Sequence, residues 1–241
     1  MTARAPRRFE QVAVVIPARD ESELIGRCLE SVLVAKGAAE SGRHATRVSV
    51  VVVADRCTDD TASVARGFDG VTVIEIDAAN VGLARATGVM LALETSGLLP
   101  SQVWIASTDA DSSVPAAWLT EQTRLARAGA DVVLGTVRPD LDDLSEAQAL
   151  AWAAAHGRGA SIGEVHGANL GVRADVYLAA GGFAQLAEHE DVDFVERCAA
   201  LDAAIVATDG CEVITSGREV GRTPGGFARY LRDDLLTNPA L

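Results

Sequence analysis

Basic residues are scarce in this sequence. Its 21 lysines and arginines stand against 34 aspartates and glutamates, which gives a formal net charge of −13 at pH 7. Proteins whose main partner is nucleic acid or an anionic membrane surface favour a basic face. The charge balance therefore argues against both partners. Phosphate ligands stay open, because they need only local hydrogen-bond donors or a bridging cation.

Cysteine and long apolar runs are also scarce. The four cysteines lie far apart, with no C-x-x-C spacing and no histidine at a zinc-site spacing. No apolar run approaches the roughly 20 residues that a membrane-spanning helix needs, and no signal-peptide pattern opens the chain. We expect a reduced cytoplasmic protein without a membrane span, in which residues 1–10 form a flexible terminus.

The 241 residues are 49% hydrophobic and only 4% aromatic, a composition that fits one globular domain. Continuous apolar runs predict strands at 11–18, 47–54, 71–76, 103–107 and 130–137. Helical periodicity predicts helices at 21–36, 58–68, 81–96, after Pro115, at 144–156, at 174–180 and from 191 onward. Apolar strands that alternate with amphipathic helices predict an α/β fold: a mostly parallel, Rossmann-like sheet with helices on both faces.

The fourth predicted strand ends in two acidic residues one residue apart, in VWIASTDADSS. On an extended segment Asp109 and Asp111 project to the same side. They also lie beyond the carboxyl end of a strand, where such sheets bind ligands. Either they are solvated turn residues, or they hold a metal ion, for which carboxylate oxygens suit Mg²⁺ or Mn²⁺.

Carboxylates also follow the first two strands. Asp20 and Glu21 follow IPAR, and Asp55 follows VVVVA. For Glu21, as for Asp59, an ordinary helix cap is the favoured interpretation. The carboxylates at the ends of three strands would lie at one sheet edge. They would repel one another there unless a ligand or a cation lies between them.

Six ordered segments, spread over residues 11–230, resemble the family 2 glycosyltransferases, which have the GT-A nucleotide-sugar fold. They are VVIPARDE, VVVVADRCTDDTA, NVGLARATG, STDADS, GANLGVRADVYLAAGGF and EHEDVDFVERC. The resemblance implies an inverting, metal-dependent transferase of the hexosyltransferase type. Such an enzyme moves a sugar from a nucleoside-diphosphate sugar to a hydroxyl acceptor. It implies Mn²⁺ or Mg²⁺ as cofactor and a UDP-sugar as the favoured donor, with a GDP-sugar as the alternative.

The resemblance also implies roles for particular residues. Asp191 is the expected general base, with Glu190 as the second choice, and Asp111 is the expected direct metal ligand, supported by Asp109. The nucleotide-sugar site is expected to contain Pro17, Ala18, Arg19, Glu21, Asp55, Arg85, Asp109, Ala110 and Asp111. The acceptor side and a late loop are expected to contribute Gly167, His189, Arg218 and Arg222.

The resemblance divides a single domain into two halves. Residues 11–137 form the expected nucleotide-sugar-binding half, and residues 138–241 the acceptor-binding half with a flexible C-terminal loop. One family feature is missing, because many relatives supply a third metal ligand from a late histidine and no histidine follows His189. Water or the phosphates would then complete the coordination shell. The identity of the acceptor is unknown.

Two other functions stay open at this point. A nucleotidyltransferase that makes nucleotide sugars shares such a sheet, but it typically has a glycine-rich phosphate loop after the first strand. This chain has PARDE there and no glycine before Gly26. A non-catalytic nucleotide-binding protein is the other alternative, although it would have no need of a base such as Asp191.

Overall fold

The computed structural model describes residues 8–42, 44–156, 162–221 and 225–237. Within these ranges, eight strands form one sheet with helices on both faces. The strands are β1 (Gln11–Ala18), β2 (Arg47–Asp55), β3 (Val71–Ile76), β4 (Val103–Ser107), β5 (Ser112–Ser113), β6 (Val132–Pro139), β7 (Leu170–Arg173) and β8 (Ile205–Thr215). The helices are α1 (Ile25–Ser41), α2 (Thr61–Arg66), α3 (Val81–Ser96), α4 (Trp118–Ala128), α5 (Glu146–Ala155), α6 (Ala174–Ala179), α7 (Glu190–Ala200) and α8 (Phe227–Arg229), which continues as a π-helical turn (Tyr230–Asp234). None of these helices, among the described residues, is long and apolar enough to cross a bilayer.

The strand order is β3-β2-β1-β4-β7-β6-β8-β5. The first four strands run parallel, and so do β6 and β8, whereas β7 is antiparallel to both β4 and β6. Val14 of β1 is in register with Val50 of β2 and with Ala106 of β4. The carboxyl ends of β1, β2 and β4 therefore meet at one edge of the sheet, which is where α/β folds bind ligands.

The predicted α/β fold class is confirmed. The five predicted strands are present as β1 to β4 and β6, each within two residues of its predicted bounds. Helix α3 occupies the predicted residues 81–96, and the side chain of Asn80 caps it by accepting the N–H of Leu83. Helix α1 begins only at Ile25, because residues 22–24 form a turn.

The sequence pattern does not predict β5, β7 or β8. Strand β7 is only four residues long, with the sequence LGVR, which is short for a periodicity signal. Strand β8 is long, but polar residues interrupt it in IVATDGCEVIT and most of its first half is only partly buried. These strands complete the sheet on the side that follows β4.

The core has one layer on each face of the sheet. Val12, Val14 and Ile16 of β1 pack in the layer that contains residues of α1 and α4. Ala13 and Val15 pack in the layer that contains residues of α3 and α7. Successive side chains of a strand point to opposite faces, so a strand covered on both faces needs apolar residues at every position. This explains the unbroken apolar run of β1.

The four cysteines are all free. Burial raises the pKa of Cys198 to about 11 and that of Cys211 to about 12. Because only the thiolate is nucleophilic, these two thiols are inert near neutral pH.

Candidate functional site

A cleft of about 750 Å³ opens at the sheet edge where β1, β2 and β4 end. Every described residue that the sequence implicates in function lines this cleft. These residues are Pro17, Ala18, Arg19, Glu21, Asp55, Arg85, Asp109, Ala110, Asp111, Gly167, His189, Glu190, Asp191 and Arg218. Arg222 lies outside the described residues. The ends of three strands, the start of α7 and the loop after β8 thus converge on one cavity.

Asp111 is a largely buried carboxylate with several hydrogen-bond donors. Its Oδ1 accepts from the hydroxyls of Ser112 and Thr215, each at 3.2 Å, and its Oδ2 accepts from Arg218 at 2.9 Å. Burial, followed by the charge of Asp109, raises the pKa of Asp111 to about 6. A carboxylate whose charged form is disfavoured in this way gains from a nearby cation, and Arg218 supplies one.

Glu21 does not cap a helix, and that interpretation is wrong. No side chain caps α1, whose preceding residue is Leu24. The Glu21 carboxylate instead accepts two hydrogen bonds from Arg218, at 2.6 and 2.7 Å. This paired geometry is characteristic of strong arginine–carboxylate contacts. Asp59, by contrast, accepts the N–H of Thr61 at the start of α2.

Arg85 donates hydrogen bonds to four groups of the site and is only 3% exposed. Its Nε donates to Glu190 at 2.8 Å, and its Nη2 donates to Asp109 at 2.5 Å. Its Nη1 donates to the carbonyl of Gly167 at 3.1 Å and to the hydroxyl of Ser107. One guanidinium therefore joins α3, the end of β4, the turn before β7 and the first residue of α7.

Gly167 leaves no room for a side chain beside Arg85. A Cβ at this position would lie 2.5 Å from Nη2 of Arg85. We expect Gly167→Ala to lower the free energy of unfolding by about 1–3 kcal/mol, as at other overpacked sites; urea denaturation measures this. The matched control is Gly37→Ala on α1, where a Cβ meets open space. This substitution should raise the free energy of unfolding by about 0.5–1 kcal/mol, because alanine is favoured over glycine inside a helix. Equal effects at the two positions would contradict the close contact.

The two acidic residues at the start of α7 have different environments. Glu190 is only 4% exposed; burial raises its pKa, and the charge of Arg85 opposes that shift. Asp191 is half-buried. Its Oδ2 accepts the N–H of Gly167 at 2.6 Å, and its Oδ1 accepts the N–H of Val192 at 2.9 Å. Asp191 is thus the more accessible carboxylate, and backbone donors fix its orientation.

Asp55 has a local structural function at the end of β2. Its Oδ1 accepts the N–H groups of Ala78 and Ala79, both at 2.8 Å, and its Oδ2 accepts that of Asn80 at 2.7 Å. These bonds hold the loop between β3 and α3 against the strand end. A carboxylate has about four lone-pair sites, so Asp55 keeps acceptor capacity for a ligand. Its contact with a nucleobase stays a prediction.

Several residues that line the cleft, or that contact its side chains, carry no signal in the sequence. The hydroxyls of Ser107 and Thr215 bond to Arg85 and Asp111, but a hydroxyl at a strand end has no distinctive pattern, and Thr215 belongs to the unpredicted β8. Four aromatic side chains also line the cleft: Trp152, His156, Phe227 and Tyr230. These four side chains come together because α5 packs against the segment that contains α8, and sequence periodicity does not predict that packing.

A sequence model described as Glycosyl transferase family 2 matches residues 13–160. The chain belongs to this family. The matched segment contains Asp55, Arg85 and both aspartates of the D-x-D motif, whereas Asp191 and Arg218 lie beyond it. A search of curated proteins found no match.

Solved structures share the fold of this family 2 glycosyltransferase. S. aureus TarS 1–349 in complex with UDP-GlcNAc superposes with a TM-score of 0.63 at 16% identity, over 90% of this chain and 61% of that chain. The mannosyltransferase PcManGT from Pyrobaculum calidifontis, in complex with GDP-Man and Mn²⁺, gives 0.63 at 19% identity, over 90% and 60%. Glucosyl-3-phosphoglycerate synthase from Mycobacterium tuberculosis, with Mg²⁺ and UDP, gives 0.53 at 16% identity, over 86% and 70%. The chain therefore spans 61% and 60% of the first two proteins.

Proposed function

We propose that this family 2 glycosyltransferase moves a sugar from a nucleoside-diphosphate sugar to an acceptor hydroxyl, with inversion at the anomeric carbon. One observation carries the proposal. Arg85 bonds to Asp109 of the D-x-D motif and to the carbonyl of Gly167, and the N–H of Gly167 donates to Asp191. The candidate metal site and the candidate base therefore lie a few contacts apart in one cleft.

The proposed donor is a UDP-sugar, with a GDP-sugar as the alternative. Structures of similar fold contain UDP-GlcNAc, UDP or GDP-Man. In this proposal, Pro17, Ala18, Arg19 and Asp55 contact the nucleoside at the ends of β1 and β2. Arg218 would turn from its carboxylate partners to the diphosphate, because a guanidinium matches phosphate oxygens as well as it matches carboxylates.

The residues of the D-x-D motif fit a divalent cation. Asp111 and Asp109 offer carboxylate oxygens, the ligands that Mn²⁺ and Mg²⁺ prefer. Burial, followed by the charge of Asp109, raises the pKa of Asp111, so its charged form would gain from a cation in the cleft. Asp111 is the proposed direct ligand, and Asp109 supports the ion or the ribose. A bound ion would supply positive charge to the departing diphosphate. Structures of similar fold contain Mn²⁺ or Mg²⁺.

Asp191 is the proposed general base. It takes the proton of the acceptor hydroxyl while the hydroxyl oxygen bonds to the anomeric carbon. The bond from that carbon to the diphosphate oxygen breaks, and attack from the opposite face inverts the configuration. The N-terminus of α7 favours negative charge at this position. Glu190 is the alternative base, but its burial and its ion pair suit it to positioning Arg85.

Calorimetric titration with UDP, GDP and TDP, each with and without Mn²⁺, tests the donor and metal proposals together. We expect one nucleotide to bind tightly, and only with Mn²⁺. Incubation with the matching nucleotide sugar then distinguishes the enzyme classes. Release of nucleoside diphosphate supports sugar transfer, whereas formation of nucleoside triphosphate from pyrophosphate would support a nucleotidyltransferase. Tight binding without either reaction would support a non-catalytic protein.

Asp111→Asn is expected to reduce the Mn²⁺-dependent gain in nucleotide affinity by about 10- to 100-fold, since even outer-shell changes at metal sites cost that much. The ratio of the dissociation constants with and without Mn²⁺ measures this gain. The substitution also alters the contact between Asp111 and Arg218. Because that contact changes both with and without Mn²⁺, the ratio reports the effect of the metal alone. Asp69→Asn, on the exposed turn between α2 and β3, is the control and should keep the wild-type ratio. An unchanged ratio in Asp111→Asn would show that Asp111 is not a metal ligand.

A further inference from the structure

Four side chains form one wall of the cleft, here called the aromatic wall: Trp152, His156, Phe227 and Tyr230. The rings of Trp152 and His156 stack with their centroids 3.7 Å apart. Phe227 and Tyr230 meet Trp152 edge to face, at 5.8 and 6.4 Å. Buried leucines of the last helical segment pack against the same cluster. Trp152 is buried and the other three rings are half-buried, so the wall is an anchored surface with ring area open to the cleft.

Glu164 and His166 line the same cleft as the aromatic wall and Asp191. Glu164 and Tyr230 both line the cleft, and burial, followed by the charge of Glu164, raises the pKa of the Tyr230 hydroxyl. Glu164 lies 3.3 Å from the ring of His166. His166 precedes Gly167, whose N–H donates to Asp191. The aromatic wall and Asp191 thus line one cavity of about 750 Å³, the size of a typical small-molecule site.

Acidic side chains outnumber arginines among the described residues that line the cleft. Glu164 and Asp191 are two of these acidic residues. Among the described lining residues, Arg85 and Arg218 are bonded to carboxylates on the donor side, and Arg19 directly follows β1. The single lysine of the sequence lies on α1. Among the described residues, a phosphate or carboxylate on the acceptor would thus meet the like charges of Glu164 and Asp191.

From these observations we infer that the acceptor is an uncharged sugar residue, one face of which packs on the aromatic wall while one hydroxyl meets Asp191. The inference rests on the proposed function and names the acceptor class for it. A pyranose ring combines an apolar face of C–H groups with a rim of hydroxyls. Aromatic rings cover the face, and Glu164 accepts from the hydroxyls. An alkyl chain would bury such polar groups without partners, which is costly.

A panel of acceptors tests the inference. The wild-type protein is supplied with the donor selected by calorimetry and with methyl and para-nitrophenyl glycosides of glucose, galactose, mannose and N-acetylglucosamine. Phosphoglyceric acid and a short isoprenyl phosphate serve as charged acceptors, and octanol serves as an aliphatic one. We expect transfer to at least one glycoside, at a kcat/KM at least about tenfold above any charged or aliphatic acceptor, the ratio that 1.4 kcal/mol of binding provides.

Two matched substitutions connect the acceptor to the aromatic wall. Phe227→Leu keeps an apolar side chain but removes the ring, and we expect it to raise the acceptor KM about five- to tenfold, in line with the worth of an aromatic contact. The donor KM should change far less. Phe68→Leu is the control, because Phe68 is also half-buried but packs against the core layer of α1 and does not line the cleft. It should leave the acceptor KM unchanged.

The outcomes separate this inference from the proposed function. If the protein neither binds nor hydrolyses any nucleotide sugar, the proposed function is wrong. If it hydrolyses a donor but transfers to no glycoside, or prefers a phosphorylated acceptor or octanol, only the acceptor inference is overturned. The same holds if Phe227→Leu and Phe68→Leu give the same acceptor KM. A parallel rise in the donor KM of Phe227→Leu would show a general distortion of the cleft and would also overturn the inference.

Discussion

Asp191→Asn should reduce turnover by about 10²- to 10⁴-fold, the usual contribution of a general base, while the donor still binds. The amide oxygen of asparagine can accept the Gly167 N–H that the carboxylate now accepts at 2.6 Å, and only the bond from the N–H of Val192 is lost. The local structure should therefore persist, but an amide cannot take the proton of the acceptor hydroxyl. Measuring kcat with saturating donor and acceptor, and the donor dissociation constant on the same preparation, separates loss of chemistry from loss of binding.

Asp193→Asn is the matched control for Asp191→Asn. Asp193 lies in the same first turn of α7, but its carboxylate pairs with Arg197 at 2.6 Å and does not line the cleft. This variant should retain most of the turnover. Glu190→Gln provides the other comparison. If Asp191→Asn remains active while Glu190→Gln is inactive with its donor affinity intact, Glu190 is the base.

Removal of the Arg85 guanidinium is expected to destabilise the protein more than any other substitution considered for the cleft. Arg85→Met should lower the free energy of unfolding by about 3–5 kcal/mol, the range for a buried ion pair that loses one partner. The reason is that Glu190, only 4% exposed, would keep its charge without the guanidinium that now lies 2.8 Å away. Urea denaturation at pH 8, followed by circular dichroism, measures the loss.

The surface pair of Arg124 and Glu121 is the control for this experiment. Arg124 is 62% exposed and donates to Glu121 one helical turn away. Arg124→Met should cost less than about 1 kcal/mol, as exposed ion pairs do. A similar small loss for Arg85→Met would mean that the buried network contributes little to stability.

The loss in Arg85→Met should also depend on pH. Burial raises the pKa of Glu190 above its ordinary value, and the variant lacks the arginine that opposes this shift. A carboxyl group with a higher pKa in the folded than in the unfolded protein binds more protons when folded, so stability falls as pH rises through the folded-state pKa. The deficit should therefore be smaller at pH 5 than at pH 8. Adding Glu190→Gln should recover part of it at pH 8, and a pH-independent deficit would exclude Glu190 as its source.

The sequence predicts the first half of the sheet correctly for a physical reason. Strands that are covered on both faces must be apolar at every position, so β1 and β2 stand out as VAVVI and VVVVA. Neighbouring parallel strands end at the same sheet edge. The carboxylates at the strand ends, Asp55 of β2 and Asp109 beyond β4, could therefore be assigned to one cleft from the sequence, and both line it.

The remaining features depend on contacts between distant segments. Glu21 resembles a helix cap in its local sequence, and only its pairing with Arg218, 197 residues away, shows its actual partner. Strand β7 is too short to signal its presence, although it joins β4 to β6. The aromatic wall likewise requires α5 and α8 to pack together. Local sequence propensity does not predict contacts between segments that lie far apart in the chain.

The position of β7 has a consequence for the order in which the chain can fold. Strand β6 is synthesised well before β7, yet it joins β4 only through β7, and its other neighbour, β8, comes later still. On the ribosome, β6 must therefore wait with both hydrogen-bonding edges open, the arrangement that favours aggregation. The same holds for a shortened protein that stops at residue 160, where the family match ends. Such a fragment would hold the D-x-D motif but could not place β6 in the sheet.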